Sequence, residues 1–194
     1  MEDADIASLE EFQKHVCLLG DEMHIKEDLV YKKMSGELVG FVNLGDVNEN
    51  LMQLDQQLQQ VSSESPALAS SVFVLMVRGL FTSLKFPYAT FPCKSTCGDQ
   101  LVPIFFEAVF RLERCGFKVV GITLDGYSAN RRFMQLVAED SPGVNHKLPN
   151  PCAPDREIFL FSDPPHLLKT VRNCLSNPWR TLQVLMCTSH YHNL

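Results

Sequence analysis

The sequence predicts an α/β fold, a mixed sheet flanked by helices and incomplete at its C-terminus. Three features predict it. SVFVLMV, which opens the segment Ser71 to Lys85, is an apolar run rich in β-branched and aromatic residues, the pattern of a strand buried on both faces. Asp99 to Arg114 sets Leu101, Ile104, Phe105, Ala108, Val109 and Leu112 at helical spacing. Lastly, KVVGITLDGYSANRRF (Lys118 to Phe133) and FLFSDPPHLLKTVRN (Phe159 to Asn173) share one plan, in which an apolar strand reaches an aspartate and then turns into a helix. With 194 residues and 45% hydrophobic content, the chain can bury one substantial core.

The elements follow in order. Ile6 to Leu19 reads as a short acidic helix or lead-in, and the apolar step VCLLG delivers Asp21 and Glu22. Asp28 to Lys33 and Leu38 to Leu44, separated by Ser35-Gly36, read as a β-hairpin. Asp46 to Pro66 is polar and without a strong period, so an irregular loop or weak helix is expected. After the Ser71 strand, Pro87 to Pro92 is expected as extended edge structure. The Asp99 helix takes Thr96-x-x-Asp99 as its cap and ends at Cys115-Gly116. Asp125 ends a buried strand, Gly126 permits the turn, and a second helix runs from Ala129 to Val137. Four prolines between Asp140 and Pro154 predict loop. Asp163 and Pro164-Pro165 then open a basic helix, and WRTLQVLMCT (Trp179 to Thr188) reads as a strand or helix lacking its partners. The expected division is 1–20 lead-in helix, 21–163 core, and 164–194 basic helix with the start of an insertion.

Charge is lopsided. The net is −6, yet residues 164–194 carry Lys169, Arg172 and Arg180 and no acid, so they hold +3 and the first 163 hold −9. An acidic chain is not an obvious DNA binder, although metal ions can neutralise carboxylates against phosphate and a basic helix can still contact it. Seven scattered cysteines, an odd number, suit reduced thiols in an intracellular compartment. Cys93 and Cys97 have no second pair at zinc-site spacing. The acidic N-terminus has no signal-peptide pattern and no apolar run reaches membrane-spanning length, so a nuclear or cytoplasmic protein with no membrane partner is expected.

Three early strands followed by alternating helix and strand is the order a ribonuclease H-like fold requires, with one acid on its first strand and a second on its fourth. Asp21 and Asp125 occupy those places. Phosphodiester hydrolysis and strand transfer use two divalent cations roughly 3.5–4 Å apart, and hard cations take carboxylate oxygens. Against this, an acid after a strand is often a turn former or a helix cap, and Asp163 before two prolines suits a cap equally. Lys169 and Arg172 also fit a solvated helix face.

The segments DEMHIKEDLVYKK with GELVGFVNLG (Asp21 to Gly45), FVLMVRGLFTSLKFPYATFP (Phe73 to Pro92), GITLDGYSANRRF and SDPPHLLKTVRN resemble the ribonuclease H-like catalytic region of P-element-type DNA transposases, including THAP-domain relatives. The resemblance implies DNA as partner, Mg²⁺ or Mn²⁺ as cofactor, and Asp21 and Asp125 as the first two acids of a three-acid metal site. The third is expected on a later helix, and the absence of acid beyond Asp163 implies a fragment inactive alone. Glu139, Asp140, Asp155 and Glu157 are candidate substitutes, but precede the last strand. The resemblance further implies that Asp163 and Lys169, with Asn173 one turn on, contact GTP in an inserted region that is largely missing. There is no GxxxxGKS loop and no zinc-coordinating THAP module. A domesticated module binding nucleotide, nucleic acid or protein without chemistry is the alternative, and full-length transposase relatives are candidate oligomeric partners.

Overall fold

The structure, a computed structural model, describes residues 6–50, 67–138 and 147–176. Its centre is a six-stranded mixed sheet in the order β5-β4-β1-β6-β8-β7. β1 (His15–His24) is antiparallel to β4 (Ser71–Gly79), which is antiparallel to β5 (Lys85–Cys93). On its other side β1 runs parallel to β6 (Lys118–Leu124), β6 parallel to β8 (Glu157–Ser162), and β7 (Lys147–Pro149) closes the edge antiparallel to β8. The small hairpin of β2 (Val30–Lys32) and β3 (Glu37–Val39) forms a sheet of its own. This is the ribonuclease H-like arrangement the sequence predicts.

Parallel neighbours need a long crossover, and two helices supply it. α1 (Gly98–Arg114) links the β4–β5 pair to β6, and α2 (Ser128–Val137) follows β6. The apolar stripe of α1, with Leu101, Phe105, Ala108, Val109 and Leu112, is buried together with Val16 and Leu18 of β1 and Leu75 and Val77 of β4. Phe105 sits at the middle, edge-on to Phe73 at 6.1 Å between ring centres and against Phe133 of α2 at 4.7 Å. α3 (Pro164–Ser176) has no buried residue, and Leu167, Leu168, Val171 and Leu175 on it are exposed. No described helix is long and apolar enough to cross a membrane.

Several expectations change. The segment before Asp21 is not a helix to Leu19: two single 3₁₀ turns end at Lys14 and β1 begins at His15, because alternation of buried Val16, Leu18 and Gly20 suits a strand. The predicted hairpin exists, but it stands outside the main sheet, and the second and third main strands are β4 and β5. Thr96 does not cap α1; the residue before the helix is Cys97, whose N–H donates to Gln100 Oε1 at 3.1 Å, while Thr96 Oγ1 donates to Glu22 Oε2 at 2.8 Å. The proline-rich linker contains β7, since Pro149 ends an edge strand where no donor is needed. The 46–50 stretch is helical; the remainder of that predicted loop, Glu139, Asp140 and the Trp179 to Thr188 tail lie outside the described residues.

Where α1 meets α2, Gly98 lets the two backbones close up. A Cβ there would lie 2.7 Å from the backbone N of Phe133 and 2.5 Å from Arg132 Cγ. Gly98→Ala is therefore expected to destabilise the chain by about 1–3 kcal/mol, as overpacking does. Urea unfolding measures it, and an unchanged midpoint would show that the helices can part at no cost.

Candidate active site

Strand register, not sequence distance, assembles the acids. The parallel pairing of β1 with β6 ends at Gly20 opposite Leu124, so Asp21 and Asp125 are the next residues on two neighbouring strands. Pairing of β6 with β8 ends at Leu124 opposite Ser162, and Asp163 N–H continues it by donating to Leu124 O at 2.8 Å. Asp21, Asp125 and Asp163 thus stand level across three adjacent strands at one end of the sheet. Asp21 is on the first strand as expected but does not end it: β1 continues to His24, because the antiparallel ladder with β4 pairs Asp21 with Val74 and runs on. Asp125 and Asp163 do follow the last residues of their strands.

Asp21, Asp125, Asp163 and His166 line one cleft of about 180 Å³. Asp125 is fixed by its own turn: Oδ1 accepts the Tyr127 N–H at 2.9 Å and the Asn130 Nδ2 at 2.6 Å. Among the described residues its Oδ2 takes no hydrogen bond. Asp21 Oδ1 accepts the Glu22 N–H at 2.9 Å. At the start of α3, His166 Nδ1 donates to Asp163 Oδ2 at 2.5 Å. That bond to Asp163 raises the His166 pKa above its ordinary value; slight desolvation opposes it, and the charges of Asp163, Asp125 and Asp21 add to it. An imidazolium is thereby favoured beside three carboxylates.

Asp125 also borders a second cavity of about 220 Å³ on its other side, with Glu22, His24, Thr96, Tyr127 and Asn130 in its wall and Phe73 at its floor. Lys169 and Asn173 line neither cavity. Both are exposed on α3, Asn173 Oδ1 accepting from Arg172 Nη2 at 3.3 Å.

The donor chemistry fits a hard divalent ion in kind, since the carboxylates of Asp21, Asp125 and Asp163 line one cleft and, among the described residues, Asp125 Oδ2 is uncommitted. Among the described residues no three His, Cys, Asp or Glu side chains are gathered as a ready coordination shell. Cys93 is buried and its thiol pushed up to about 11, by burial first and then by the Glu22 charge, which suits packing and not ligation. Asn130, not among the site residues singled out from the sequence, is buried and holds Asp125. The signal for it was position: five residues after the acid, in the first turn of the next helix.

Residues 3–138 match the family described as TNP-like, RNase H N-terminal domain. The chain is 22% identical to the human DNA transposase THAP9 over 187 residues, which is 95% of this chain and 19% of that protein. It therefore spans about a fifth of that relative. Its fold is similar to the Drosophila P element transposase strand transfer complex, with a TM-score of 0.60 and 23% identity across 88% of this chain and 32% of that one.

Proposed function

Because the chain belongs to the TNP-like RNase H N-terminal domain family, we propose that it is the acid-bearing part of a P-element-like transposase catalytic region, with DNA as its substrate and Asp21 and Asp125 as its metal ligands. The observation that carries this reading is the register, which sets the two aspartates side by side on parallel strands facing one cleft. Mg²⁺ or Mn²⁺ held there would supply Lewis-acid stabilisation of the attacking and leaving oxygens of a phosphodiester. The chain's own contribution is orientation. Asn130 and the Tyr127 N–H fix one oxygen of Asp125, whose side chain lines the cleft. His166, steadied by Asp163, offers a donor beside the acids.

Residues 164–194 bring no further carboxylate, and the chain covers 19% of its human relative. We read it as inactive alone, since a site short of one ligand loses the positioning on which rate depends. The proposal extends to GTP, with Asp163, Lys169 and Asn173 as its contacts. Its support is Lys169, a cation one and a half turns into α3; Pro164 and Pro165 carry no N–H, and the Asp163 and Leu167 N–H groups donate to Leu124 O and Asp163 O. Action on DNA would place the protein in the nucleus.

Thermal unfolding during Mn²⁺ titration tests the metal site without requiring activity. Wild type is expected to gain about 2 kcal/mol or more at saturating metal, and the Asp21→Asn/Asp125→Asn double variant to gain none. Equal shifts in both would remove the two aspartates from the metal reading.

A further inference from the structure

The cavity on the far side of Asp125 has a different character from the acid cleft. Its volume, about 220 Å³, is below the roughly 300–1,000 Å³ of pockets that bury drug-sized ligands, so it suits one planar ring system. Phe73 closes the floor, and the Tyr127 ring, 53% exposed, stands in the wall. Tyr127 is not a loose surface aromatic. Its N–H donates to Asp125 Oδ1 at 2.9 Å and its carbonyl accepts the Arg131 N–H at 3.0 Å, so the backbone bearing the ring is pinned to the acid and to α2. Glu22 commits Oε2 to Thr96, and His24 commits Nδ1 to Ser71 Oγ at 3.1 Å. Among the described residues Glu22 Oε1 and His24 Nε2 take no hydrogen bond, which leaves a carboxylate oxygen and a ring nitrogen for a ligand.

From this geometry we infer that the cavity is a subsite for one unpaired nucleobase of the DNA, the base adjoining the phosphate that faces Asp21 and Asp125. The inference rests on the reading of those acids as a DNA-processing site. Charge selects base over phosphate: Glu22 and Asp125 repel an anion, while carboxylate oxygens accept hydrogen bonds from exocyclic amino groups. An aromatic ring in the wall stacks on any base, which gives affinity without sequence preference. Asp125 borders both cavities, so a base in one lies next to whatever occupies the other.

Fluorescence anisotropy with the 194-residue chain tests this, using a labelled duplex with a short unpaired 3′ end in Mn²⁺, and the same duplex made abasic in the unpaired segment. Tyr127→Ala is expected to weaken binding about tenfold, the size of one lost stacking contact, and Tyr127→Phe to restore it. The abasic duplex should weaken wild type by the same factor and cost Tyr127→Ala nothing more. Mn²⁺-dependent binding that is indifferent to Tyr127→Ala or to the missing base overturns the base subsite and leaves the metal reading standing. Absence of Mn²⁺-dependent DNA binding by wild type overturns both.

Discussion

Phe105→Ala is expected to lower the unfolding free energy by about 3–5 kcal/mol, a large share of the 5–15 kcal/mol available to a domain of this size. Phe105 is fully buried and touches the rings of Phe73 and Phe133, so its loss leaves a cavity bounded by side chains from a strand and both core helices. The same ring lies against Gly20, where even a Cβ would stand 3.0 Å from Phe105 Cζ and 2.7 Å from Phe73 Cζ. Gly20 precedes Asp21, so the cavity opens directly behind the acid cleft. Urea unfolding of the variant checks the figure, and a loss below about 1 kcal/mol would mean that the three rings are not the centre of the core.

Glu113→Ala is expected to cost about 2–4 kcal/mol through a different mechanism. The Glu113 side chain is 8% exposed and collects four hydrogen bonds: Val119 N–H at 2.9 Å, Asn150 Nδ2 at 2.8 Å, and Arg156 through Nη1 at 3.2 Å and Nη2 at 2.5 Å. It fastens the end of α1 to the start of β6 and to the turn between β7 and β8, and its removal leaves Arg156 half-buried without its counter-charge. Burial pushes the carboxyl up, but Arg156, the Val119 N–H and Asn150 together outweigh it, and the net shift is below the ordinary value of 4.5. A lowered carboxylate pKa contributes stability that is fully present above the unfolded value and is lost as pH falls through the folded one. The stability gap between wild type and Glu113→Gln should accordingly be constant above about pH 5 and narrow as the pH falls below 4.5. Thermal melts across that range measure it, and a gap independent of pH would assign the network's value to packing.

Period and punctuation made α1, β4, β6 and α2 readable within a residue or two, because a buried face leaves its spacing in the chain. The hairpin was also readable, but not its place: local alternation and a Gly turn look the same whether the strands join the main sheet or stand apart. β5 was readable as extended edge structure over Pro87 to Pro92, and it is an edge strand of the main sheet. KFPYATFPC carries Pro87 and Pro92, which a central strand rejects and an edge strand tolerates opposite Met76 and Val72. Of the candidate site, Asp21, Asp125 and Asp163 were found as acids after apolar runs, and the structure brings them together. Glu22 and Thr96 were missed as a pair because they are far apart in sequence and nothing local in either announces the other; Asn130 was missed although its bond to Asp125 spans five residues.

The β1–β6 pairing also sets the order of events in the life of the chain. His15 meets Lys118 across a loop of about a hundred residues, one of the most distant contacts in the sheet. A nascent chain that has emerged as far as Cys93 can already zip β1, β4 and β5 by antiparallel pairing, yet it holds only half of the cleft. The second aspartate arrives after α1 has formed and β6 has found its slot. The proposed cation site would therefore exist only where β1 and β6 are already paired, so an ion bound there would act as a latch on a finished sheet.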